Sequence, residues 1–194
     1  MIDDASPRLP DRIAQAELQR PEDGVGPLFH RTYRTRIRGG RLSAEQLIAA
    51  IRANPNKVAP TEFARFFKVH GDQEKMRVGD EYVVRMPGPW DGPVRVVEVT
   101  RRSFRLATLA GHLEAGQIDF SAMDDEQLVV SVESWARSGD WLCDLLYQRL
   151  RMAKEIQLHM WTSFLEQATK LAGGRMSGGI EIVTRRVDEI GPGS

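Results

Sequence analysis

The residues best suited to chemistry lie in GHLEAGQIDF, Gly111 to Phe120, where His112 and Glu114 stand two apart. A histidine changes charge near neutral pH, and a carboxylate beside it can tune it as an acid or base. Side chains two apart on a regular strand share a face, so His112 and Glu114 travel with Ile118 and Phe120. Gly116 opens a second possibility. A glycine inside a strand commonly marks a bulge, which shifts the phase by one. Leu113 and Ala115 would then face inward and the His/Glu pair would face water. Both phases fit the sequence.

Glu133 is the third acid–base candidate. Its segment carries a clean apolar set, Leu128, Val130 and Val132, and a mixed set, Val129, Ser131, Glu133 and Trp135. If the mixed set lined a cavity, Glu133 could meet His112. The favoured reading is an outward ion pair with an arginine such as Arg105, which contributes little at a surface. A metal site needs three or four ligands, and His112-x-Glu114 offers two. Glu155 and His159 share a helix face, but Ile156 and Met160, one position off, carry the apolar stripe. His159 reads as solvated, and no metal is expected. Cys143 has no histidine near it in sequence and reads as a small buried hydrophobe. The chain has no G-x-S-x-G elbow, phosphate-cradling glycine loop or dinucleotide fingerprint, so no cofactor is expected.

The elements that must position these residues follow from periodicity. Residues 1–27 are rich in Pro, Asp and Gly and read as a loosely attached arm with a short helix over Asp11–Arg20. LFHRTYRTRIR alternates as a half-buried strand, with Phe29, Arg31, Tyr33, Thr35 and Ile37 on one side and a basic face on the other. Ser43 with Gln46 forms a capping box for a helix that Pro55 closes. Six strands follow, at Glu62–His70, Glu81–Met86, Pro93–Thr100, Ser103–Leu109, about His112–Ala122, and Gln127–Ala136. Their short connections make neighbours antiparallel. From Ser138 to Ala172 the period becomes helical, and Gly173-Gly174 stops it. In the tail, Ile180, Ile182 and Val183 suit an edge strand or a disordered end. The expected divisions are an arm (1–27), a folded domain (28–174) and a tail (175–194).

Composition narrows the partners. In 194 residues, 27 Lys and Arg balance 27 Asp and Glu, so no global field favours nucleic acid or acidic membranes. Arg34, Arg36 and Arg38 make a basic strand face without interleaved aromatics, which counts against nucleic acid. Formal neutrality favours association, so a homo-oligomer is admitted. The single cysteine excludes an intrachain disulfide and fits a reducing compartment. MIDDASPRLP has no apolar core of a signal peptide, and no run suffices to cross a bilayer. A cytoplasmic protein without membrane insertion is expected.

The order of strand, short helix, six strands and long helix resembles the helix-grip, START-like (SRPBCC) superfamily. TLAGHLEAGQIDF and VVSVESWARSGDWLCDLLYQ, followed by the amphipathic helix, are similar to domain-of-unknown-function family nineteen-ninety. The matching positions are Thr108, Leu109, Gly111, His112, Gly116, Phe120, Ser134, Ala136, Arg137 and Ser138; Gln117 stands where the family often has Glu. The resemblance implies an α+β fold, with a curved seven-stranded antiparallel sheet wrapped around the long C-terminal helix, a short helix between strands 1 and 2, and a pocket. It implies no established reaction. Three functions follow: a domain binding an apolar or lipid-like small molecule, a cyclase- or hydrolase-like enzyme with His112 as acid/base, or an interaction protein without a small ligand. The ligand-binding residues expected are Tyr82, Trp90, Phe104, His112, Glu114, Trp135, Arg137, Ile156 and Met160. Trp90, in its Pro/Gly hairpin, would gate the pocket mouth or fold back on its own loop.

Overall fold

The computed structural model describes residues 5–10, 17–60, 64–86, 91–138 and 147–187, with backbone alone for 147–157. Its described strands form one antiparallel sheet of eight, in the order β2-β3-β4-β5-β6-β7-β1-β8. They are β1 (Val25–Arg38), β2 (Arg65–His70), β3 (Glu81–Arg85), β4 (Asp91–Val99), β5 (Ser103–Thr108), β6 (Glu114–Asp124), β7 (Leu128–Ser138) and β8 (Arg175–Val187). The meander of β2 to β7 follows from the short turns between them. β1 closes on β7, with Tyr33 opposite Val132 and Ile37 opposite Leu128.

The seven strands expected become eight, because the tail takes its strand alternative. β8 pairs along β1 from Leu28–Val187 to Arg38–Arg175. Without it β1 would present a long row of unpaired backbone groups at the sheet edge. The chain turns back at Gly173, whose φ of +72° suits glycine. Gly174 lies so close to β1 that a Cβ there would sit 2.5 Å from Ile37 Cγ2.

Among the described residues, two α-helices pack on one face. In α1 (Ala44–Ala53) the Ser43 Oγ accepts from Gln46 N, and the Gln46 side chain accepts from Ser43 N in return. Leu47, Ile48 and Ile51 are fully buried beneath α1. The Ala44 N–H donates to Asp124 Oδ1 (2.9 Å), which ties the start of α1 to the end of β6. The long helix α2 (Tyr147–Leu171) places Phe164, Leu165 and Ala168 in the main core. Phe120 lies at the centre of an aromatic group, stacked on Phe104 (4.8 Å) and meeting Phe164 (5.0 Å) and Trp161 (5.6 Å). Such pairs add about 0.5–1.5 kcal/mol each beyond area burial. This is a helix-grip arrangement. Among the described residues, no helix is long and apolar enough to cross a membrane.

The opposite, open face carries the amino-terminal segment. Leu18 bridges to Leu109 and packs with Leu9 on Val97 and Ala107. Gln19 N donates to Thr108 O (2.9 Å), and Thr108 Oγ1 donates back to Gln19 O (2.9 Å). The helix expected over Asp11–Arg20 falls mostly outside the described residues, and Leu18, at its described end, sits in a bridge to the sheet instead.

Candidate functional site

The phase of β6 decides which residues share a face. β6 pairs with β7 in unbroken register from Glu114–Ser138 to Asp124–Leu128, so Gly116 makes no bulge. The glycine serves close approach instead. A Cβ at Gly116 would lie 2.0 Å from the Trp135 carbonyl oxygen and 2.8 Å from Ala136 Cα. Its N–H donates to Thr108 Oγ1 (2.9 Å). Because the obstruction is backbone, Gly116→Ala is expected to cost at least the ~1–3 kcal/mol typical of overpacking. Thermal unfolding checks it: a melting temperature within a degree of wild type would show that the two strands can part freely.

With the register straight, Glu114 shares the phase of Ile118 and Phe120, which face the helices. His112 precedes the strand, in the turn that Gly111 (φ +92°) makes possible. His112 Nδ1 lies 2.9 Å from the Glu114 backbone nitrogen and 3.1 Å from the Glu114 carbonyl oxygen, so the Glu114 backbone fixes the ring's orientation. Gln19 Nε2 donates to the His112 carbonyl (3.0 Å) and holds the turn from the other side. A Cβ on Gly92 would sit 2.9 Å from His112 Nε2. Gly92 lies opposite Val84 and in the phase of Val94, both in the helix-covered core. The imidazole therefore fills the space above Gly92 on the helix-covered face.

His112 keeps some exposed surface as a residue, yet its ring is enclosed enough that burial pushes its pKa down to about 4. Burial thus favours the uncharged ring at neutral pH. Among the described residues Nε2 makes no hydrogen bond. Tyr33, on β1, is buried on the same face, and its hydroxyl pKa is raised. Burial is the main cause; Arg31 opposes it and Glu114 adds to it. Arg31 is itself buried in the phase of Tyr33 and Ile37, with its guanidinium 4.8 Å from the Phe29 ring. Arg31 is not among the site residues expected from sequence, although its place in the apolar phase of LFHRTYRTRIR signals it.

The other expected residues divide. Tyr82 and Phe104 are buried in the helix-covered core, and Met160 is buried on α2. Ile156 and Glu155 lie in the part of α2 described by backbone alone, while Trp90 and Cys143 fall outside the described residues. His159 is exposed. Trp135, Arg137 and Glu133 take the opposite phase of β7 from Val130 and Val132, and so lie on the open face. Arg137 Nη1 donates to Gly26 O (3.3 Å).

Glu133 therefore does not meet His112. Its carboxylate lies 2.6 Å from His30 Nε2, and the His30 ring stacks on Trp135 (4.9 Å). Across the open face Glu133, Asp119, Arg105 and Glu98 stand directly opposite one another on β7, β6, β5 and β4. Arg105 pairs with Glu98 (2.7 Å) and more loosely with Asp119 (3.5 Å). Burial pushes the Asp119 pKa up to about 6; Arg105 opposes the shift, while Glu98 and Glu133 reinforce it. Cross-strand pairing, invisible until the register is known, assembles this row. Among the described residues, no group of three or more His, Cys, Asp or Glu is placed to hold a metal ion.

Comparison with known proteins gives one family and a set of folds. A family model described as a domain of unknown function (DUF1990) matches residues 26–166. No curated protein matches the chain. Among solved structures, the di-domain ARO/CYC StfQ from the steffimycin biosynthetic pathway aligns with a TM-score of 0.57 at 10% identity, over 79% of this chain and 52% of that one. The chain thus spans about half the length of that di-domain protein. Hypothetical protein jhp0584 from Helicobacter pylori aligns with a TM-score of 0.51 at 11% identity, over 89% and 99% of the two chains. A conserved protein from Geobacillus kaustophilus aligns with a TM-score of 0.50 at 10% identity, over 77% and 98%. At such identities the likeness is one of fold alone.

Proposed function

The chain belongs to the domain of unknown function family DUF1990, and from that premise we propose that it binds an apolar or lipid-like small molecule between the helix-covered face and α2. The observation that carries this reading is the enclosed His112 ring, whose Nε2 stands above Gly92 on that face without a hydrogen-bond partner among the described residues. A polar group of a ligand would give that ring nitrogen the hydrogen bond that the described residues do not. Tyr33, Arg31 and Glu114 add polar groups to a face otherwise lined by residues such as Tyr82, Phe104 and Ile118. A mostly apolar wall with a few polar groups is the usual make-up of a small-molecule site. Tyr82, Phe104, Ile156 and Met160 would form walls, and His112 and Glu114 would orient the ligand. Trp135 and Arg137, on the open face, have no part in this site.

Native mass spectrometry of the full chain purified from cells tests the reading. A bound species that leaves on denaturation, and is lost or weakened in His112→Phe, is the expected result. A clean unliganded mass, together with a crystal structure whose interior is fully packed beside His112, would overturn it. An enzyme that uses His112 for proton transfer near neutral pH is disfavoured, because burial holds that ring neutral. With its proton on Nε2, His112 would instead polarise a carbonyl by donating to it.

A further inference from the structure

We propose that the open face of the sheet, beneath the amino-terminal segment, binds one neutral O–H group between Trp135 Nε1 and Gln117 Oε1, supplied by a trapped water or by the hydroxyl of a small ligand. Gln117 and Trp135 stand directly opposite each other on β6 and β7. Each side belongs to a residue only 5% exposed. The indole Nε1 and the amide Oε1 are both buried without a hydrogen-bond partner among the described residues. One is a donor and the other an acceptor, so the pair is complementary, yet the two do not bond to each other.

Both side chains are held in place. Gln117 Nε2 donates to Pro7 O (2.8 Å) and approaches Ser6 Oγ (3.2 Å), which leaves Oε1 as the atom without a partner. The Trp135 ring stacks on His30 with only 13° between planes, and Glu133 holds His30. Neither side chain can turn to solvent without breaking contacts the structure makes. Buried polar groups in folded proteins are ordinarily satisfied, by ordered water where protein groups do not reach. The chemistry selects the group. It must accept from an N–H and donate to a carbonyl oxygen. A carboxylate cannot donate and an ammonium cannot accept, whereas a hydroxyl or a water does both. The site lies on the face opposite His112 and stands independently of the binding proposed there.

A crystal structure of the full chain at a resolution that shows ordered water is the test. The expected result is density at about 2.8–3.0 Å from both Nε1 and Oε1. A single round peak identifies water and continuous density identifies a ligand hydroxyl; either supports the proposal. No density between the atoms, or a direct Nε1–Oε1 bond, overturns it. A second measurement is the cycle of Trp135→Phe, Gln117→Leu and the double variant. Phe keeps an aromatic ring beside His30 while removing the donor, and the cavity it leaves is common to the single and double variants, so the cycle cancels it. A shared O–H group makes the two losses of melting temperature non-additive, and additive losses overturn the proposal.

Discussion

Replacing Lys68 with methionine is expected to lower stability by about 3–5 kcal/mol, the range for removing one partner of a buried ion pair. Lys68 and Asp80 are both 7% exposed at the side chain, and Nζ lies 2.7 Å from Asp80 Oδ2. The ammonium also donates to the carbonyls of Lys75 (2.7 Å) and Asp72, so the loop from Gly71 to Asp80 is folded around it. Asp80 itself accepts from the Arg77 N–H (2.9 Å). Gly71 (φ +107°) passes so close that a Cβ would strike the Asp80 carboxylate. Methionine would fill the volume of the aliphatic stem but leave the enclosed Asp80 carboxylate without its ammonium partner. The same loop carries Met76, which is buried in the main core, so its loosening would uncover the helix-covered face. Urea unfolding measures the loss. The double variant Lys68→Met with Asp80→Asn should recover part of it, because no uncompensated charge remains. A loss under about 1 kcal/mol for the single variant would mean that the pair behaves as an exposed one.

The second large effect is a pair of opposed pH dependences, one on each face of the sheet. His112 has its folded pKa depressed from 6.5 to about 4, so its contribution is present above 6.5 and is lost as pH falls toward 4. Asp119 has its pKa raised from 3.8 to about 6, so its contribution is present below 3.8 and is lost as pH rises through 6. Each shift corresponds to about 3 kcal/mol over its window. Between pH 4 and 6 the two nearly cancel. The stability of wild type minus His112→Gln should therefore rise by about 3 kcal/mol from pH 4 to 7. Wild type minus Asp119→Asn should fall by a similar amount from pH 4 to 7, as the wild-type carboxyl ionises in its buried site. Urea midpoints across this range check both. Differences that stay flat with pH for His112→Gln would show that the ring is solvated and that its place above Gly92 is wrong.

Much of the fold was legible in local pattern. The alternation of LFHRTYRTRIR marked β1, the Ser43/Gln46 box marked the start of α1, and Gly173-Gly174 marked the end of α2. These signals depend on residues within a few positions of one another, so they survive without tertiary information. The eighth strand was only half legible. RMSGGIEIVTRRV has weak alternation, and what makes it a strand is the open edge of β1 beside it.

The candidate sites were harder to read, for one physical reason. His112 and Glu114 could be named from residue type, but their faces depended on whether Gly116 bulged, and glycine serves bulge and close approach equally well in sequence. The Trp135 carbonyl, nineteen positions away in the chain, decided it. Glu133 could be named as an acid, but its partner was His30, more than a hundred positions distant, because β1 closes on β7. Asp119 gave no local sign at all; its raised pKa comes from burial and from carboxylates that the register places on neighbouring strands. By itself the sequence determined β1 to β7, α1 and the long helix in their order, and the residue types available for chemistry, since propensity and periodicity act locally. Only the tertiary structure decided which face each side chain takes and which charges meet, because strand register and burial are set by contacts between segments far apart in the chain.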